Sequence, residues 1–370
     1  MTQVRVTTQN ERPSVCRPGA GAYRGAMPDP DPDDRAESIE GEGRIGGTAT
    51  IGGTDRRALA RSAGAPPTGA VARVGLSGWQ YDGWRGDFYP QRLAKRRWLE
   101  YVGDRFPTVE LNGSFYSLQR PERYQAWRHA VPDGFVFAVK GGRYLTHMLH
   151  LRNVHKALAN FMASGVLELE DRLGPVLWQL PAAFAPTPDV LDAFLDQLPT
   201  TFDAARALAD DHDAKVRASD SVPGSDGDGD GRSGDGTPGE RVIRHALEVR
   251  TPAAVTPDHL AVLRQHRVAL VDSDAGTAWP RFDEPTTDFA YLRLHGSPEV
   301  YHSGYDEHAT GQWAHRVEEH LLAGRDTFVY FDNDAERHAP WDALALDAAL
   351  AARGAVSREA PHRPGGTLGS

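Results

Sequence analysis

Cysteine is almost missing from this chain: Cys16 is the single one in 370 residues. No internal disulfide can form, which suits a reducing compartment. Long apolar runs are missing too. None approaches the ~18 apolar residues of a membrane span, and the first residues carry no signal-peptide core. The expectation is a soluble, cytoplasmic chain with no membrane partner. Lysine is scarce: of 41 basic residues only Lys95, Lys140, Lys156 and Lys215 are lysines. A basic excess is lacking as well, since the formal net charge is −10. That balance weighs against a general phosphate-backbone binder, so nucleic acid is not the expected partner.

Several motifs are also absent. VGLSGWQYDGWRGDFYP (74–90) begins as an apolar run and turns aromatic, but Trp79 stands where a serine elbow needs its second glycine. Neither a Walker loop nor a GxGxxG fingerprint is present there, and no cofactor is expected. No metal is expected either. DGDGDG places Asp226, Asp228, Asp230 and Gly231 like a calcium loop, yet Thr237 occupies the position of the bidentate Glu. His302, Asp306 and His308 match no ligand spacing and read as a solvated loop.

What is present is an ordered stretch, 71–351, between polar, Gly/Pro-rich segments. Residues 1 to about 70, about 210–240 and the tail from 352 to 370 are expected to be disordered. The ordered part holds eight short apolar runs: 72–76, 108–112, 135–140, 175–180, 245–250, 268–272, 289–295 and 327–333. Helical spacing fills most intervals, as in QRLAKRRWLEYVGDRF (91–106) and HKALANFMASGVLELEDRL (155–173). Trp98, Trp127, Trp313 and Trp341 fall in such patterns and read as core. Eight strands alternating with helices point to an α/β fold, a (β/α)8 TIM barrel with a disordered N-terminal extension and a long polar insertion. An open doubly wound sheet is the alternative, less favoured without a phosphate fingerprint after the first strand.

Parallel-barrel strands are apolar on both faces, so their polar residues need a reason. Here they gather at the C-terminal ends, where this architecture carries its active sites. With alternate residues sharing a face, Glu110 pairs with Asn112, Glu248 with Arg250 and Arg293 with His295, while Lys140 follows the small Ala138. Ser77, Gln179, Asp272 and Asn333 end other strands, and Trp79, Tyr81 and Trp84 are placed to wall the mouth. The bland alternative is that Glu248–Arg250, or Glu110 with Arg293, are buried ion pairs that only fill the barrel.

VGLSGWQYDGWRGDFYP, TVELNGSFYSL, FVFAVKGGRYLTH, LGPVLWQLPAAF, DFAYLRLHG and VYFDND occur in the order seen in the YecE-like family, domain-of-unknown-function family 72. The resemblance spans 71–350 and implies a TIM barrel. It brings no reaction with it. It transfers onto Trp79, Tyr89, Glu110, Asn112, Phe115, Tyr116, Lys140, Thr146, His147, Gln179, Glu248, Arg250, Arg293, His295, Gly296 and Asn333. The chain departs where the family reads Glu-Phe-Arg-His-x-Ser-Trp: it has EVRTPAA, with Thr251 for the histidine and Ala254 for the tryptophan.

The leading functional reading is an enzyme using general acid–base chemistry on a small polar substrate, anionic or sugar-like, at the C-terminal rim. Glu110, Lys140, Glu248 and His295 are the catalytic candidates. Trp79, Tyr81, Asn112, Gln179, Arg250, Arg293 and Asn333 are the substrate-binding candidates. A Schiff base on Lys140 and carboxylate-pair glycoside hydrolysis are variants of this reading. The alternatives are a non-catalytic barrel binding a ligand or single-stranded nucleic acid on its aromatics, and a divalent-metal hydrolase, which the strand-end Lys and Arg disfavour.

Overall fold

A computed structural model describes residues 69–214, 216 and 240–355. Cys16, the DGDGDG run and most of the three segments expected to be disordered lie outside the described residues.

Nine strand segments form one all-parallel sheet: β1 (Ala72–Ser77), β2 (Thr108–Leu111), β3 (Val136–Lys140), β4 (Leu173–Gln179), β5 (His245–Glu248), β6 (Ala269–Leu270), β7 (Asp272–Asp274), β8 (Phe289–Leu294) and β9 (Asp326–Phe331). Their order is β6-β5-β4-β3-β2-β1-β9-β8-β7. Because β6 and β7 are consecutive pieces of one chain run, the two ends of that order meet and the sheet is a nearly closed barrel. The expected 268–272 strand is thus split at Val271. The split has a local cause: Leu270 N–H donates to Thr286 Oγ1 (2.9 Å), and Thr286 Oγ1 donates to Val268 O (2.6 Å). A hydroxyl replaces the β8 ladder there.

The helices are α1 (Trp98–Gly103), α2 (Gly113–Tyr116), α3 (Pro121–Ala130), α4 (His155–Ala163), α5 (Pro188–Leu195), α6 (Phe202–Ala209), α7 (Pro257–Gln265), α8 (Glu307–Leu322) and α9 (Ala339–Ala352). No helix among the described residues is long and apolar enough to cross a membrane. Two expected helices are shorter than their apolar spacing suggests. Residues 91–106 yield only a 3-10 turn and α1, where Trp98 stacks on Tyr89 at 4.4 Å. Residues 155–173 break at Gly165, whose φ is +109° and where an added Cβ would lie 2.5 Å from Pro121 Cα, leaving no room for a side chain.

Strand alternation sorts the core into two. Leu177, Tyr291, Phe328 and Tyr330 fill the barrel with small Ala138 and Ala246. Trp178, Phe161 and Phe194 belong to the larger cluster between sheet and helices. Trp98, Trp127 and Trp313 pack in or against that cluster, but Trp341 is 48% exposed, touching Phe88 edge-on at 6.1 Å. Its expected core role is corrected.

Candidate functional site

The inward phase set by Thr108 on β2, Ala246 on β5 and Tyr291 on β8 continues upward to Glu110, Glu248 and Arg293. The three meet at the barrel's C-terminal end. Arg293 Nε donates to Glu110 Oε2 (3.1 Å) and Nη2 to Glu110 Oε1 (2.9 Å). Its Nη1 donates to Glu248 Oε2 (2.6 Å), and Nη2 also reaches Ser77 Oγ (3.2 Å) and Asp332 Oδ2 (2.8 Å). Glu110 further accepts from Ser77 Oγ (2.8 Å) and from the Tyr291 hydroxyl (2.6 Å). Every nitrogen of the guanidinium is engaged by this ring of acceptors, so Arg293 has no donor to offer a substrate.

Charges this deep are tolerated only because each is compensated. Burial pushes the Glu248 carboxyl up, but Arg293 and then Arg250 outweigh it and hold the group well below the usual range. Arg250 Nε donates to Glu248 Oε1 (3.2 Å), and its guanidinium lies 4.0 Å over the Trp279 ring. His295 sits between two carboxylates, with Nε2 3.7 Å from Glu248 Oε1 and Nδ1 3.0 Å from Asp332 Oδ2, the latter off the hydrogen-bond line.

Exposure then divides the site. Glu110, Glu248, Arg293 and His295 are sealed from solvent. The surface above them is made by Lys140 (6% exposed), Asp332 (side chain 15% exposed), and the half-buried Asn112, Tyr81 and Asp334. Lys140 ends β3 with its Nζ 4.2 Å over the Phe115 ring. Asn112 Nδ2 donates to Ser77 Oγ (2.9 Å), and the Tyr81 hydroxyl donates to Ser77 O (2.6 Å).

Asp332 and Asp334 were not among the sequence-derived candidates, and they replace Asn333. The inward parity of β9 runs Phe328, Tyr330, Asp332, Asp334; Asn333 is one residue out of step and points outward. Its Nδ2 donates to Ser303 O (3.0 Å) and Asp342 Oδ2 (2.7 Å), tying loops to α9. The signal is in FVYFDND: extending the parity of Phe328 and Tyr330 selects the aspartates. The environments of these two carboxyls are opposed. Burial raises Asp332, but Arg293 outweighs it and holds the group far below normal. Burial, and then the charge of Asp332, push Asp334 up to about 7. Burial followed by Asp334 and Asp332 push the Tyr81 phenol well above its ordinary value.

Two more expectations are corrected. Trp79 is buried with its indole edge-on to Trp127 of α3 (5.6 Å), so it packs into the helix layer rather than walling the mouth. Trp84 is likewise buried, 4.5 Å from Tyr81 and against Phe88. Gln179 lies on the inward parity of β4, but its Nε2 donates back to Leu180 O (2.8 Å). Asp306 caps α8, accepting from Ala309 N–H (2.8 Å). Among the described residues no group of three or more His, Cys, Asp or Glu is arranged to hold a metal ion.

Residues 73–365 match the family described as "Protein of unknown function DUF72". The chain belongs to the DUF72 family. Among curated relatives, this DUF72 chain is 32% identical over 130 residues to UPF0759 protein YecE of Escherichia coli (strain K12), covering 35% of this chain and 45% of that protein. It is 34% identical over 73 residues to UPF0759 protein YunF of Bacillus subtilis (strain 168), covering 20% and 25%. The aligned stretches thus span less than half of either relative. A DUF72 family protein from Thermotoga maritima MSB8 superposes with a TM-score of 0.59 at 23% identity, over 76% of this chain and 99% of that one. Another from Enterococcus faecalis V583 gives 0.55 at 16%, over 76% and 96%. These likenesses establish the fold.

Proposed function

We propose that this DUF72 chain is an enzyme using general acid–base chemistry on a small polar substrate, anionic or sugar-like, at the C-terminal rim of the barrel. One observation carries the reading: two carboxyls two residues apart at the end of β9 border the accessible surface, in environments that separate their protonation. Such separation is how a site assigns an acid and a carboxylate at neutral pH. Asp334 is the proton donor, and Asp332 stays ionised. Lys140, Asn112 and Tyr81 contact the substrate. Glu110, Glu248, Arg293 and His295 form the sealed floor, from which Arg293 and then His295 hold Asp332 in its charged state. This replaces the sequence-derived roles of Glu110, Glu248 and His295 as proton carriers and of Arg293 as a ligand, since groups shut off from solvent cannot meet a substrate.

The test is turnover of a panel of sugar phosphates, sugar acids and glycosides, followed by mass spectrometry. Wild type is expected to convert at least one, and Asp334→Asn to lower kcat by about 10²-fold or more. Wild type that binds a panel member without converting it would instead favour a non-catalytic ligand barrel. Equal turnover by Asp334→Asn would remove Asp334 from the chemistry.

A further inference from the structure

The charges at the C-terminal end of the barrel cancel. On β7 it is Ser273 that stands opposite Arg293, so Asp272 and Asp274 face outward, and Asp272 is taken by Arg281. The charged side chains carried inward are then Glu110, Lys140, Glu248, Arg250 and Arg293, with Asp332 and Asp334 just past β9. Each cation of this set acts on a carboxylate of the same set. Arg293 bridges Glu110, Glu248 and Asp332, and Arg250 donates to Glu248. The Lys140 charge favours the ionised form of Asp332. Three cations thus meet three carboxylates, with Asp334 set apart as the acid. A charged substrate group would give up its water here and find no surplus of the opposite sign.

Hydrogen-bonding capacity is left over, and it lies on the acceptor side. Ser77 Oγ donates its one hydrogen to Glu110 Oε1 (2.8 Å), so toward Asn112 it can only accept. That fixes the Asn112 amide with Nδ2 on Ser77 Oγ, and its Oδ1 meets no donor among the described residues. Gln179, across Lys140 on β4, repeats the pattern in the sealed layer. Leu180 O can only accept, so Nε2 faces it, and Gln179 Oε1 meets no donor either. The Tyr81 hydrogen is already spent on Ser77 O. Of these side chains, Asn112 and Tyr81 border the accessible surface. An acceptor left without a donor is a cost that a ligand hydroxyl removes. A carboxylate or phosphate group, which brings further acceptors, does not.

Resting on the acid–base reading, we propose that the substrate is an uncharged polyol, sugar-like and not anionic. One hydroxyl donates to Asn112 Oδ1 just past β2, a second donates to the Asp332 carboxylate, and the oxygen that takes the proton lies beside Asp334. The balanced charges leave such a ligand undisturbed, and its hydroxyls supply the donors that the mouth lacks.

The test is calorimetric titration of the full chain with matched sets built on glucose, galactose and mannose. Each set holds the neutral sugar, its 6-phosphate, its uronic acid and its 2-amino derivative. The expected result is that the tightest binder is a neutral sugar, about tenfold or more tighter than its own phosphate, acid and amine. Tightest binding by a charged member overturns the proposal, as does a lack of binding by every neutral one. Asn112→Leu should bind that neutral sugar about tenfold or more weaker. Unchanged affinity in an Asn112→Leu that still melts cooperatively overturns it too. Lys140→Met leaves Asp332 with one cation fewer, so the amine should gain on its neutral parent by about tenfold. An unmoved preference there means that the charges do not balance through Lys140, and the proposal falls. The matched comparison needs wild type alone, so it stands even if a variant misfolds. If the neutral sugar binds best while Asp334→Asn turns over normally, the substrate class stands and the proton-donor reading falls. Loss of turnover in Asp334→Asn on a substrate that binds best in a charged form is the reverse.

Discussion

At the scale of single residues, Arg293 and Asp334 illustrate opposite uses of a buried charge. Removing Arg293 strands Glu110, Glu248 and Asp332 without their shared partner. Arg293→Met is therefore expected to cost about 3–5 kcal/mol of folding stability, measured by urea denaturation. A loss below 1 kcal/mol would mean that water reaches those carboxylates. Asp334 works the other way. Its folded pKa, about 7, lies above the ordinary carboxylate value, so the folded state binds the extra proton between the two. Stability from this group declines as pH rises from ~4 through 7. Asp334→Asn should remove that decline, and its melting temperature should gain on wild type more at pH 8 than at pH 5. Thermal melts at the two pH values check it. Activity limited by a protonated Asp334 should fall as pH rises through about 7. Most of the floor was legible in the sequence, because Glu110, Glu248, Arg293 and His295 lie on strands whose inward parity is marked by neighbouring apolar residues. Asp332 and Asp334 lie beyond the end of β9, where a strand-end reading has only the DND run to work with, and that run gives a polar residue at either parity.

Among elements, the eight strand runs were readable while helix lengths were not. Parallel strands carry their own signature, apolar on both faces. Where a helix stops depends on partners distant in sequence, such as Pro121 crowding Gly165. The junction of β3 and its loop shows how tight such packing is. A Cβ on Gly141 would lie 2.3 Å from the Trp178 ring. That ring cannot retreat: its Nε1 donates to His245 Nδ1 (3.2 Å), and Phe161 and Phe194 flank it at 5.6 and 5.4 Å. Gly141→Ala is expected to destabilise by about 1–3 kcal/mol, again by urea denaturation. A neutral result would show that the β3 loop shifts freely, and with it Lys140.

For the whole molecule, histidine sets much of the response to mild acid. His245 is fully buried, and burial lowers its pKa to about 4, opposed in part by its contact with Pro199 O (2.9 Å). The unfolded chain takes the proton near ~6.5, so stability from this group is complete above that pH and lost as pH falls toward 4. Melting temperature should drop over that window, and less steeply in His245→Gln. A drop of equal slope in the variant would assign the acid response to other groups. The barrel as a class was legible from eight strand runs alternating with helices. Its near-closure through a strand cut in two was not, because Thr286, the residue that replaces the ladder, lies 16 positions from Leu270.

Arg293 has a mechanical side as well. From β8 its guanidinium grips Glu110 on β2 and Glu248 on β5, and reaches Ser77 at the end of β1 and Asp332 just past β9. Those attachment points are spread around the hoop, so one side chain acts as a set of spokes. A hoop with spokes resists being squeezed into an oval. The rim of the barrel should therefore hold its circular outline while the loops above it move, and any adjustment to a ligand must come from those loops and not from the staves.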